Sequence, residues 1–330
     1  ADGAHVFENV TATGNGGISL QRGAASLKNI TATGTSGSAI WMGNKYPATL
    51  DTVTANAPNH RGIEIANTDS LNNEYSFTNV KVTAKSRGIN VARSGRVKMN
   101  KITVNTPDIG IYLEADAKGE HELANLDLTA GKSAFNAPHG AVKVEDFKIT
   151  ATTDVGIYIG TAHDAVIRRG VITTPGLMGI YIGGTDKKKV TVEDVTIKTG
   201  WQYGFMLMKS SEALIQRVCV SGMSTTGIYT TADSVTIRDS QFSNNGSLGG
   251  VMIDSASTQK ANVINNAFLK STPSRAWSNS KNHKFDGNYW QGVAGGTKYA
   301  EGNVTDNKTL AANPVTGCYV APPSPIGGLV

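Results

Sequence analysis

The chain of 330 residues has only two cysteines, Cys219 and Cys318, too few for a disulfide-dense miniprotein or a multi-cysteine metal site. Aromatic residues make up 7% and charged residues 17%, with hydrophobic residues at 39%, so the chain can bury a large core without the composition of a disordered protein. No apolar run approaches the roughly 18 residues that suggest a bilayer span, which argues for a soluble protein. The first residues, ADGAHVFENV, lack an initiating Met and the regions of a signal peptide, as expected of a processed or trimmed chain. No stretch of the repeats shows a helical period of 3.6. The formal charge of +5 suits an acidic partner such as a uronate polysaccharide, a phosphate backbone or an anionic surface, and equally suits a protein kept soluble by excess Lys.

What the chain does have is a repeat. Motifs of the form G-I-x-I or a close variant start at Gly17, Ala39, Gly62, Gly88, Gly110, Gly156, Gly179, Gly204, Gly227 and Gly250, at intervals of 22 to 26 residues and one of 46. The long interval hides a coil with a degenerate first strand near SAFNAPHG, residues 133–140. Each unit also carries a second alternating strand, as in SLKNITATG, SFTNVKVTA and VTVEDVTIKTG. Strands this short cannot form independent hairpin domains. They bury their apolar faces if each pairs in parallel with its equivalent one repeat later, about 4.8 Å away, in a solenoid.

This pattern resembles the right-handed parallel β-helix proteins of the pectate-lyase-like superfamily, and FDGNYWQG at 285–292 resembles the segment that closes such solenoids. The expected fold is all-β, a right-handed parallel β-helix of about twelve coils over residues 1–276, with an irregular capping segment over 277–330. The superfamily includes lyases, epimerases, hydrolases, adhesins and phage spikes, so fold alone does not assign activity. Its sharper signatures are missing: Ala137-Pro138-His139 lacks both acids of the epimerase D-P-H-D/E motif, the lyase R-x-P-x-x-R is absent, and Asn67-Thr68-Asp69 stands without the other polygalacturonase motifs.

Aligned second strands stack Asn29, Thr52, Asn79, Lys101, Asn125, Asp146, Arg169, Asp194, Arg217, Asp239 and Asn266 at one turn position, which suits a left-handed residue. The run from Asp146 to Asp239 alternates in sign and predicts an ion-pair ladder. Two residues on, an outward column includes Thr196, Cys219 and Gln241, which places Cys219 on the outer wall. A disulfide to Cys318 tying the tail across the coil wall is the preferred reading, with two free thiols as the alternative.

On the first strand the flanking Ile residues point inward and x points out, giving the column Ser19, Trp41, Glu64, Asn90, Tyr112, Tyr158, Tyr181, Met206, Tyr229 and Met252. Trp41, Tyr158, Tyr181 and Tyr229 are candidate sugar-stacking residues, although strands favour Tyr without any ligand. Polar chemistry concentrates in GIEIANTD, GINVARS and GIYLEAD. There Glu64, Arg93, Tyr112 and Glu114 are candidate catalytic residues, with Arg61, Arg87 and Asn90 flanking them. Arg93 would neutralise a uronate carboxylate, Tyr112 or a His would exchange the C5 proton, and Glu64 with Glu114 would bind calcium or orient the Arg. A solvated patch of compensating charges is the alternative. His163, with His139, emerges at the sheet edge near Asp164 and Asp116, a further acid–base candidate. Trp201 and Tyr203 would flank a subsite.

The function expected is that of a secreted, periplasmic or cell-surface enzyme acting on an acidic polysaccharide by lyase or C5-epimerase chemistry, with no nucleic-acid partner and no membrane span. Two rivals stay open: a glycoside hydrolase using carboxylates such as Glu114 and Asp116 about 5 to 9.5 Å apart, and a non-catalytic glycan-binding adhesin.

Overall fold

The computed structural model describes residues 3–43, 46–66, 73–92, 95–114, 120–161, 163–174, 176–184, 188–209, 212–254, 260–269, 275–278, 283–296, 299–301 and 304–320. Among them there is no helix, and so none long and apolar enough to cross a membrane. The chain is a parallel β-solenoid of about eleven turns in all, divided between two compact units.

The first unit holds residues 1–152 and 157–160. Each of its coils contributes one short strand, such as Ile63–Ala66, Ile89–Ala92 or Ile111–Glu114, and one long strand of ten or eleven residues, such as Glu74–Ala84 or Arg96–Thr106. Parallel pairing joins equivalent positions of neighbouring coils: Ile63 to Ile89 to Ile111 to Phe135 on the short strands, and Leu50 to Phe77 to Met99 to Leu123 to Val144 on the long ones. Phe135–His139 is the short strand of the coil whose motif is degenerate. The inward columns are almost completely buried, and each large apolar side chain withdrawn from water contributes roughly 1.5–3 kcal/mol.

One residue per coil bends each long strand. Asn29, Thr52, Asn79, Lys101, Asn125 and Asp146 have φ between 53° and 57°, and Asn9 begins the series. The residue at this corner is left out of the pairing, since Lys28 pairs with Asp51 and Ile30 with Val53. Asparagine suits it because its short amide tolerates the left-handed conformation and can bond along the stack. Asn29 donates to Asn9 Oδ1 at 2.9 Å, and Asn125 to Asn100 Oδ1 at 2.7 Å.

The second unit holds residues 153–156 and 161–321, of which the described part ends at Val320. Its corner residues are Arg169, Asp194, Arg217, Asp239 and Asn265. The last corner is therefore Asn265 and not Asn266. Asn266 lies inside, buried in a column between Ser240, whose amide donates to its Oδ1 at 3.0 Å, and Asn288, whose Oδ1 accepts from the Asn266 amide at 2.9 Å. Of the expected alternating ion ladder, Arg217 clasps Asp194 through two bonds of 2.7 and 2.8 Å and also reaches Glu193 at 3.0 Å. The Asp194 hydrogen bond raises the Arg217 guanidinium above its ordinary value, against the opposing effect of burial. Asp239 instead meets Arg238 and Asn265.

Glycine in the motif is a packing requirement. A Cβ on Gly156 would lie 2.6 Å from the Gly179 carbonyl oxygen, and one on Gly179 would lie 2.6 Å from that of Gly204. These two coils leave no room for a side chain at this position, whereas the coils at Ala39 and Ala134 carry a methyl group there.

Parallel pairing continues past residue 276 through Lys284–Asp286 and Tyr289–Trp290, where Phe268 stacks on Trp290 with centroids 4.3 Å apart. The hairpin Tyr299–Glu301 and Val304–Asp306 then ends the regular structure. Its Asp306 is wholly buried and accepts five hydrogen bonds, from the Gly287, Asn288 and Lys308 amides, the Asn288 side chain and the Trp290 indole. Beyond it, Cys318 is disulfide-bonded to Cys219. The Thr196 hydroxyl donates to the Tyr319 carbonyl at 2.7 Å, and Asn313 to Gln241 at 3.1 Å, so the tail lies along the outward column of Thr196, Cys219 and Gln241.

Candidate functional site

The outward column of the short strands falls in the expected register. In the first unit Ser19, Trp41, Glu64, Asn90, Tyr112 and Asn136 are successive partners. In the second unit Tyr181, Met206, Tyr229, Met252 and Trp277 are. The two rows differ in chemistry: the first is mostly polar and the second is aromatic and thioether throughout.

The polar row gathers its neighbours into one network. Arg61 and Arg87 lie three residues before Glu64 and Asn90 on adjacent rungs, with the Gly62 amide bonded to the Arg87 carbonyl at 3.1 Å. Arg61 ion-pairs with Glu64 Oε1. Ser38 donates to Glu64 Oε2 at 2.9 Å, and its hydroxyl lies 3.2 Å from His60 Nδ1. Both oxygens of Glu64 are thus engaged, and its side chain is only 13% exposed.

Arg87 is held differently. Its Nη1 donates to Asn90 Oδ1 at 2.6 Å, and its guanidinium lies 4.1 Å from the centroid of the Tyr112 ring. Stacking and one neutral acceptor fix its plane and occupy one of its five donors. Among the described residues no carboxylate pairs with it. Asn90, an outward residue by register, is 3% exposed and spends its Oδ1 on Arg87.

Glu114 lies in the adjoining column, paired in register with Ala92, and is exposed. Arg93 and Asp116 lie outside the described residues, as do Asn67 and most of the 68–76 excursion. Tyr158 is half-buried on Val155–Thr161. Trp41 is half-buried, with its indole folded over Gly43. Among the described residues no group of three or more His, Cys, Asp or Glu could hold a metal ion.

In the second unit the Tyr229 hydroxyl donates to Asp254 at 3.2 Å, and its ring lies 5.7 Å from that of Tyr203. Burial pushes the Tyr229 phenol up, and Asp254 and Tyr203 push it further. Trp201 is 67% exposed beside this group. His163, also in this unit, is half-buried.

An open depression of about 360 Å³ in the first unit lies over the long strands, lined in part by Lys98, Glu122, Lys143 and Glu145. Its charges are compensated locally: Lys98 pairs with Glu74 at 2.9 Å, Arg96 with Glu122 at 2.6 Å and Lys143 with Glu145 at 3.1 Å.

Sequence reasoning found Arg61, Glu64, Arg87, Asn90 and Tyr112 from their stacking, but missed Ser38 and His60. These lie in the turns that enter the short strands, where the repeat sets no side-chain direction. The available clue was that Gly37 and Ser38 align with His60 and Arg61 when the motifs at Ala39 and Gly62 are superposed.

Residues 134–290 match the family described as right handed beta helix region. No curated protein matches the chain, and no solved structure does.

Proposed function

We propose that this right-handed parallel β-helix protein acts on an acidic extracellular polysaccharide, by lyase or C5-epimerase chemistry, on the outer face of the short strands of its first unit. The observation that carries this reading is Arg87: a guanidinium stacked on Tyr112 and oriented by Asn90, with most of its donors unspent. A planar fork with unspent donors matches a carboxylate geometrically. A uronate bound there would have its charge neutralised, which makes its C5 proton more acidic and stabilises the electron pair left when that proton departs. Arg61 is a poorer receptor because Glu64 already occupies it. Trp41 supplies a ring face in the same column for a neighbouring sugar. The Cys219–Cys318 disulfide supports a secreted, periplasmic or cell-surface location.

A second reading, non-catalytic glycan binding, is favoured by the row Tyr181, Met206, Tyr229, Met252 and Trp277, which offers aromatic and thioether faces with no carboxylate or imidazole in the column.

The test is incubation with a panel of uronate polymers, following ultraviolet absorbance of the new double bond and exchange of the C5 proton with deuterated solvent. Turnover that Arg87→Ala abolishes and Arg87→Lys only partly retains supports the first reading. Polymer binding without either signal supports the second, the absence of binding to any acidic polymer refutes the first, and the absence of binding to neutral glycans as well refutes both.

A further inference from the structure

We propose that His60 is the proton-accepting residue of this site and that Glu64 acts on it through Ser38 as a positioning residue; the proposal rests on the uronate reading of Arg87. A serine hydroxyl carries one proton. Ser38 gives that proton to Glu64 Oε2 at 2.9 Å, so across its 3.2 Å contact with His60 the hydroxyl oxygen can only accept. The hydrogen of the neutral imidazole is therefore on Nδ1, and the lone pair is on Nε2. Arg61 on the other oxygen of Glu64 fixes the carboxylate and with it the direction of the whole chain.

The order of the three residues decides what the network can do. In a nucleophilic triad the histidine lies between serine and acid and takes the serine proton. Here the serine lies between acid and histidine, so its oxygen is not activated for attack. The basic atom of the group is His60 Nε2, on a half-exposed side chain; among the described residues nothing bonds to it.

The fold sets the turn that holds His60 beside the turn that leads into the carboxylate receptor. The His60 carbonyl accepts from the Lys85 and Ser86 amides at 3.1 and 3.2 Å, so the turn holding His60 is hydrogen-bonded to the turn that leads into Arg87. For His60 to act, a uronate with its carboxylate on Arg87 must present C5, one bond from that carboxylate, to His60 Nε2. In the elimination, the C5–H bond breaks and its proton goes to Nε2. The electron pair forms the C4–C5 double bond, and the C4–O bond breaks. Nε2 then returns the proton to the departing oxygen, which leaves His60 neutral and the serine uncharged throughout.

Two measurements test this. In protein labelled with ¹⁵N-histidine, long-range ¹H–¹⁵N correlations report the tautomer of neutral His60. The expected form is Nδ1–H, reverting to a mixture or to Nε2–H in Ser38→Ala; an Nε2–H ring in the unaltered protein overturns the positioning role of Ser38 and Glu64. In the turnover assay, His60→Ala is expected to lose about 100-fold or more in C5 proton release, with polymer binding kept and part of the rate restored by added imidazole, which a merely structural residue would not show. His60→Gln serves as the second variant should the alanine protein fail to fold. Proton release that survives both substitutions overturns the assignment of His60 while leaving the uronate reading intact. No release by the unaltered protein from any uronate polymer overturns both, whatever the tautomer.

Discussion

Asp306→Asn replaces one carboxylate oxygen with an amide nitrogen at a position with no solvent exposure. In the unaltered protein Oδ1 receives the Gly287 and Lys308 amides, and Oδ2 receives the Asn288 amide, the Asn288 side chain and the Trp290 indole. Asparagine keeps one acceptor oxygen and turns the other into a donor facing donors. At best it can still serve the three groups on the Oδ2 side, which leaves two N–H groups without partners. The Gly287 and Lys308 bonds are only part-buried, so those amides recover some hydration, and the main cost is the new amide nitrogen facing donors in a buried site. At about 1–3 kcal/mol for a buried unsatisfied group, the substitution should destabilise the second unit by about 1–3 kcal/mol. Urea unfolding followed by tryptophan fluorescence and circular dichroism measures this, with Asp286→Asn as control. Asp286 is a half-exposed partner of Lys284, and its loss should cost less than about 1 kcal/mol. If Asp306→Asn falls within about 0.5 kcal/mol of the unaltered protein, the reading of Asp306 as the hydrogen-bonded end of the column that holds Asn266 and Asn288 is wrong.

Replacing Cys219 and Cys318 together by serine opens a cross-link spanning 99 residues and should lower stability by about 2–4 kcal/mol in denaturant titration, with the tail becoming the first site of proteolytic cleavage. Thr52→Asn should stabilise the first unit by about 0.5–1 kcal/mol, because a β-branched residue now holds φ at 56° where asparagine is better tolerated; a lower denaturation midpoint would contradict it. Because the phenol of Tyr229 is raised in the folded state, its contribution is fully present below the unfolded value near pH 10 and is lost as pH climbs through the folded one. Tyr229→Phe should therefore show a shallower alkaline loss of stability than the unaltered protein, and parallel curves would refute the shift.

The architecture was legible in the sequence because a solenoid repeats one environment. Each coil meets the same requirements, so the glycine of G-I-x-I, the flanking apolar residues and the left-handed corner recur at matching positions. The ladder from Asn29 to Asp239 could be aligned without coordinates for the same reason. The alignment slipped at Asn265, where the corner residue is followed by a second asparagine and the letters alone cannot say which one turns inward. The column containing Glu64, Asn90 and Tyr112 followed from strand alternation.

The sequence by itself thus determined the coil, its register and the outward residues that share a face, because these follow from backbone periodicity. Tertiary structure alone decided how those residues use one another: that Arg61 is consumed by Glu64 while Arg87 is left open on Tyr112, and that Ser38 and His60 complete the network from neighbouring turns. It also decided that Cys219 reaches Cys318 across the outer wall. Such pairings depend on rotamers and on turns between strands, and a period that fixes the backbone every 22 to 26 residues places no constraint on where a side chain in a turn will point.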